Sequence, residues 1–261
     1  MTYRQSFPSK TIRQAALTLA LCAVSTGVQA ETVLVAVAAN FSGAADAISA
    51  AFHDATGHDA HMTTGSTGKL FAQITEGAPF EVLLAADEKT PEKLETEGKA
   101  VAGSRFTYAI GGLTLWSTDA GLIGADATVS LSSDKIRFLA IANPDLAPYG
   151  VAAQEVLTNL GLWDLMHPKI VLGQNIGQVF AMASTGAADA AFVATSALAG
   201  ADAPVTGSRL DIPQALFTPI RQDAVLLSKG KDNAAATAFL DFLKGDTAKG
   251  IITDFGYDFP E

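Results

Sequence analysis

The chain of 261 residues contains one cysteine, Cys22. A single thiol excludes a disulfide framework and any zinc site built on several cysteines. Basic residues are few: 17 Lys and Arg face 27 Asp and Glu, a net charge of −10. A chain this acidic lacks the basic footprint that non-specific nucleic-acid binding requires. It is equally unsuited to an anionic membrane surface. No segment reaches the roughly eighteen uninterrupted apolar residues of a membrane-spanning helix. Enzyme signatures are missing too: there is no G-x-S-x-G elbow, no Walker A loop and no H-E-x-x-H. Gly65-Ser66-Thr67-Gly68-Lys69 looks like part of a phosphate loop, but Leu70 stands where Ser or Thr is needed. His53, His58 and His61 lie close together, yet they bracket a helix end and the next strand, which favours surface placement over a metal site.

What is present is a composition 49% hydrophobic, enough to bury a sizeable core. The length suits one large domain or two modest ones. Arg4, Lys10 and Arg13 precede an apolar run from Ala15 to Val24, and Val28-Gln29-Ala30 follows with small or medium residues at −3 and −1. This predicts a secretory signal peptide over 1–30, cleaved after Ala30. Leu21 is too large for Cys22 to be a lipoprotein site. Losing the three basic residues of 1–30 takes the net charge to −13 and removes the cysteine. The expected mature chain is therefore exported and soluble.

Apolar runs then alternate with helical patterns. Val33 to Ala38 reads as a strand buried on both faces. Ala44, Ile48, Phe52 and Ala55 recur at helical spacing until Gly57. Val82 to Ala86, Ile136 to Ala142, Ala190 to Ala194, Leu113 to Trp116 and Ala224 to Leu227 read as further strands. Late helices are expected before Gly245 and before Gly256. Strands alternating with helices predict an α/β class with mainly parallel sheets. The mature length allows two lobes with a ligand cleft between them.

Four turns share one chemistry. They lie at Asn40-Phe41-Ser42-Gly43, Gly65-Ser66-Thr67-Gly68, Ala147-Pro148-Tyr149-Gly150 and Asn175-Ile176-Gly177-Gln178, and each opens a helix. A helix start offers unpaired N–H groups and partial positive charge, a ready anion site. None of the four contains Arg, and the nearby Lys69 lies inside its helix. The pattern suits a small anion held by neutral dipoles. Each turn also has a plainer reading, since a Ser, Thr or Asn before a helix commonly only caps it. Asp87 ends a strand and could face the cleft, but it is expected to cap the helix beginning near Thr90.

Several short segments, in order and spacing, carry a family resemblance. They are Ala38-Ala39-Asn40-Phe41, Thr56-Gly57-His58, Gly65-Ser66-Thr67-Gly68, Ala72-Gln73-Ile74, Gly77-Ala78-Pro79-Phe80, Ala85-Ala86-Asp87, the run from Gly103 to Gly111, Asn143-Pro144 through Gly150, Gly186-Ala187-Ala188-Asp189 and Phe192-Val193-Ala194. In these the chain resembles the periplasmic molybdate-binding proteins of ABC transporters, over nearly its whole mature length. The resemblance implies a two-lobe type II periplasmic binding fold, each lobe a mainly parallel sheet flanked by helices. Lobe one would be 31–110 plus 222–261, and lobe two 111–221. It implies a monomeric carrier without catalysis or cofactor, which captures molybdate and also tungstate and delivers it to a membrane permease. The oxyanion donors it implies are the Ala39 backbone, Asn40, Ser66, Thr67, Tyr149 and the Ile176 backbone, with no direct bond from protein to molybdenum. Some members carry a serine where Asn40 stands, and some a tyrosine where Ala194 stands. The residues alone leave open another small anion, such as sulfate, phosphate or an organic anion, and more remotely an exported hydrolase.

Overall fold

The computed structural model describes residues 1–3, 30–199 and 206–260. Residues 4–29 of the signal peptide expected over 1–30 lie outside the described residues.

Val33, Val35, Ala36 and Val37 are fully buried in β1, Thr32–Ala38. Val33, Val35 and Val37 pack with Phe52 and Phe239 on one face. Ala36 packs with Leu70, Leu83 and Leu94 on the other. Both faces are apolar, so the period of two is visible in the contacts and not in the residue types. A 3₁₀ turn, Ala39–Phe41, leads into α1, Ser42–Thr56. Gly57 ends α1 at φ 75°, its N–H donating to the His53 carbonyl at 2.8 Å. That left-handed cap costs glycine no Cβ clash.

The unit repeats as β2 (Asp59–Gly65), α2 (Thr67–Thr75), β3 (Val82–Leu84), α3 (Lys89–Thr96) and β4 (Phe106–Gly111). The chain crosses at Gly112 into β5 (Leu113–Ser117), α4 (Ala127–Leu131), β6 (Leu139–Ala142), α5 (Pro148–Asn159) and α6 (Trp163–Met166). Then come β7 (Ile170–Gly173), α7 (Ile176–Ser184), β8 (Ala190–Ala194) and β9 (Ser208–Asp211). β10 (Ile220–Leu226) returns to the first sheet, and α8 (Ala234–Lys244) and α9 (Asp246–Asp254) close over it.

The two lobes carry sheets of matching order, β2-β1-β3-β10-β4 and β7-β6-β8-β5-β9. In each, only the fourth strand runs against the rest. The reversed strands, β10 and β5, are the ones that enter their sheet directly from the other lobe. Strands β1, β2, β6 and β8 run toward the space between the lobes, whereas a strand arriving from that space must run away from it. The mainly parallel expectation therefore holds, with one reversal per sheet that periodicity did not indicate.

Other differences are local. The strand expected from Ile136 begins at Leu139, and Ile136 is buried in the preceding loop. β7 and β9 were not expected. Both are partly exposed edge strands of four residues, too short and too mixed for an apolar signal. Gly245 joins α8 to α9 in extended backbone, while Gly256 follows α9 at φ 75°.

Candidate functional site

Four helix starts meet between the lobes around a small cavity of about 10 Å³. Ala39, Asn40, Ser66, Thr67, Tyr149 and Ile176 all line it. The topology explains the meeting, because the βα turns at the carboxyl ends of parallel strands point the same way. Among the described residues lining it, none carries a charged side chain. Its electrostatics come from dipoles at helix starts.

Ser66 occupies the N-cap position of α2 in extended backbone, φ −72° and ψ 148°, yet its hydroxyl makes no capping bond. It is 3% exposed. Its Oγ is the one buried side-chain polar atom without a partner among the described residues. A buried group left unpaired costs about 1–3 kcal/mol. The plain capping reading of Ser66 is thus not what the geometry shows.

Thr67 is also buried, and its Oγ1 accepts from the Ala86 N–H at 3.1 Å. That bond ties the end of β3 to the start of α2 and leaves the hydroxyl proton for another acceptor. Asn175 caps α7 conventionally, its Oδ1 accepting from the Gln178 N–H at 2.9 Å. The Ile176 N–H, at the first helical position, has no intrahelical partner. The Ala39 N–H stands in the same position at the first 3₁₀ turn.

Tyr149 is 1% exposed, and its hydroxyl oxygen accepts from Gln222 Nε2 at 3.4 Å. Burial holds its phenol well above the ordinary value, with Tyr257 adding and the Gln222 and Asn40 amides pulling back. It therefore remains a protonated donor at neutral pH. Gly111 makes room for it, since any Cβ there would overlap the Tyr149 hydroxyl.

Asn40 differs from the simple expectation of a side-chain donor. Its Nδ2 donates to Gln222 Oε1 at 2.7 Å and to the Tyr257 hydroxyl at 3.1 Å. Both amide protons are committed within the protein. The Asn40 group free of these bonds is its backbone N–H, in the 3₁₀ turn.

Asp87 lies outside the cavity lining. Its carboxylate accepts from the Thr90 N–H at 2.7 Å and the Thr90 hydroxyl at 3.2 Å. Burial pushes its pKa up, the Thr90 bonds oppose this, and Asp223 adds to the rise. It faces a larger opening of about 340 Å³, which shares Ala86, Ala147 and Pro148 with the cavity. Glu88 and Arg221 pair across that opening's wall at 2.9 Å. The histidines do not gather. His53 pairs with Asp59, His58 accepts from the Glu31 N–H, and no metal cluster occurs among the described residues.

Sequence reasoning missed the polar residues behind the cavity: Gln222, Tyr108, Tyr257 and Ser196. Their hydrogen bonds join residues up to 217 positions apart, so no local pattern carries them. The one available signal was the polar triplet Arg221-Gln222-Asp223 at the start of a strand that is otherwise apolar.

Comparison with known proteins gives a consistent picture. Residues 33–258 match the profile described as bacterial extracellular solute-binding protein. The molybdate-binding protein ModA of Azotobacter vinelandii is 48% identical over 229 residues, 88% of this chain and 90% of that protein. ModA of Rhodobacter capsulatus is 46% identical over 252 residues, 96% of this chain and 98% of that protein. The solved periplasmic molybdate-binding protein of Azotobacter vinelandii superposes with a TM-score of 0.84 at 41% identity, covering 88% of this chain and 100% of that one.

Proposed function

The chain belongs to the bacterial extracellular solute-binding protein family, and on that premise we propose that it is the carrier of an ABC importer for molybdate. The observation that carries the reading is the orphaned Ser66 hydroxyl in a cavity lined by neutral groups at four helix starts. A tetrahedral dianion gives that hydroxyl, the Thr67 and Tyr149 hydroxyls, and the backbone N–H groups of Ala39, Asn40 and Ile176 an acceptor. The two relatives of 46–48% identity are named for molybdate binding.

Tungstate, which has the same charge and shape, is a second cargo in this reading. Sulfate is also a deprotonated tetrahedral dianion but is smaller, so cavity size would reject it. Phosphate carries a proton at neutral pH and wants an acceptor, and Asp87 is turned toward Thr90. Molybdenum is held through its oxygens and not by protein ligands. The chain performs no catalysis, needs no cofactor and works as a monomer. It acts in the periplasm after loss of residues 1–30. Lobe one comprises 31–110 with 222–261, and lobe two 111–221. The lobes close on the anion and present the closed face to a membrane permease.

Calorimetric titration of residues 31–261 with molybdate, tungstate, sulfate and phosphate tests this. Tight one-to-one binding of molybdate and tungstate alone is expected. Binding of sulfate or phosphate instead would keep the site and overturn the cargo. No binding of any oxyanion would reduce the four turns to helix caps.

A further inference from the structure

Gln222 sits fully buried where β10 enters the first sheet. The ladder with β4 slips between Gln222 and Asp223, a bulge at the crossing from one lobe to the other. Gln222 lines neither the cavity nor the larger opening beside it, yet its amide touches both sides of the hinge. Oε1 receives Asn40 Nδ2 at 2.7 Å and the Tyr108 hydroxyl at 3.2 Å. Nε2 reaches the Tyr149 hydroxyl at 3.4 Å.

The direction of every bond in this chain follows from one carbonyl. The Tyr257 hydroxyl lies 2.7 Å from the Asn40 backbone oxygen, which can only accept. Tyr257 spends its single proton there or on Ser196 Oγ at 3.0 Å, and in either case not on the Asn40 amide. The Asn40 amide atom 3.1 Å from the Tyr257 oxygen must then be the NH₂ group. The same NH₂ donates to Gln222, so the atom facing it is Oε1. The other end of the Gln222 amide, which faces Tyr149, is therefore a donor. A phenol oxygen that accepts there must send its own proton elsewhere. Among the described residues it donates no hydrogen bond to an acceptor, and Tyr149 lines the cavity.

We propose that Gln222 is a positioning residue that forces Tyr149 to present its proton to the cavity, and so makes the site accept only anions without a proton of their own. This rests on the anion-carrier reading above. It gives the hinge a part in selectivity: an anion bearing an O–H would find a donor where it needs an acceptor, although no charged group repels it. The selectivity is set by a hydrogen-bond polarity that runs from the Asn40 carbonyl through Tyr257, the Asn40 amide and Gln222.

The test is a double-mutant cycle on molybdate affinity, with Gln222→Met and Tyr149→Phe. Met fills a similar volume but donates nothing. Gln222→Met alone is expected to weaken binding roughly tenfold, the worth of one ordered hydrogen bond. In the Tyr149→Phe background it is expected to change binding less than twofold. Equal losses in both backgrounds would mean that Gln222 acts on the hinge and not through Tyr149, and would overturn the proposal. So would an unchanged affinity in the single variant. Gln222→Glu serves if the Met variant fails to fold. As a neutral acid it can donate to Tyr149, and as a carboxylate it cannot. Its affinity should therefore fall with rising pH by a larger factor when Tyr149 is present than in the Tyr149→Phe background. A fall of the same size in both would be charge repulsion alone and would sink the idea. If the wild-type chain binds no oxyanion at all, the carrier reading fails first and the proposal falls with it, a result distinct from every outcome above.

Discussion

The backbone N–H of Gly68 donates to the Leu146 carbonyl at 2.9 Å, joining the first turn of α2 in one lobe to the loop before α5 in the other. A Cβ at Gly68 would sit 3.0 Å from the Leu146 oxygen and 3.2 Å from its Cα. Gly68 is helical, so Ala fits its backbone and favours the helix by about 0.5–1 kcal/mol. Gly68→Ala should therefore hold or raise the melting temperature while weakening molybdate binding about tenfold, because the lobes cannot meet as closely. Calorimetry and thermal unfolding of one sample read both. Parallel falls in both quantities would show a folding defect instead.

Ser66→Ala should also separate stability from binding. It removes a buried hydroxyl that has no partner, so the unliganded protein should gain up to about 1 kcal/mol. Molybdate affinity should fall ten- to hundredfold, the worth of a hydrogen bond to a charged group. An unliganded variant clearly less stable than the parent would mean that Ser66 has a structural partner after all.

Gly111→Ala forces a methyl against the Tyr149 hydroxyl and to 2.7 Å from Gln222 Nε2. Overpacking of this kind costs about 1–3 kcal/mol. Urea denaturation should show that loss, and anion affinity should fall with it, because both the donor and its support are displaced. Full affinity in a folded Gly111→Ala variant would remove Tyr149 from the site.

Asp189 gives a pH signature far from the cavity. Its carboxylate accepts from the Arg137 and Phe138 N–H groups at 2.9 Å each and from the Arg137 guanidinium at 2.9 Å. Burial alone would raise its pKa, but these bonds outweigh burial and the net shift is downward. A depressed carboxyl stabilises fully above its unfolded pKa of about 3.9, and this contribution fades as pH falls through the lower folded value. Asp189→Asn should cost about 1–3 kcal/mol at pH 7 and progressively less as acid protonates the parent's carboxyl. Urea midpoints of parent and variant across acid pH check the convergence. A gap that stays constant down to the acid limit would exclude the charge as its cause.

The α/β class, the position of most βα units and the four helix-opening turns are legible in the residues alone. These are local properties: apolar runs at strand or helix period, and glycines such as Gly57 where only a left-handed cap ends the helix. Ala39, Asn40, Ser66, Thr67, Tyr149 and Ile176 could be singled out because a turn before a helix announces its free N–H and hydroxyl groups in three or four letters. Tertiary structure alone decided which of those groups remain available. Ser66 and Asn40 looked alike as helix-opening polar residues, but packing left the Ser66 hydroxyl without a partner and spent both Asn40 amide protons on Gln222 and Tyr257. The reversal of β5 and β10 was likewise invisible, because strand direction depends on which lobe the chain arrives from and not on the residues in the strand. The same holds for Gln222: the polarity of its amide is set by a carbonyl 182 residues away in the chain, and only folding brings the two together.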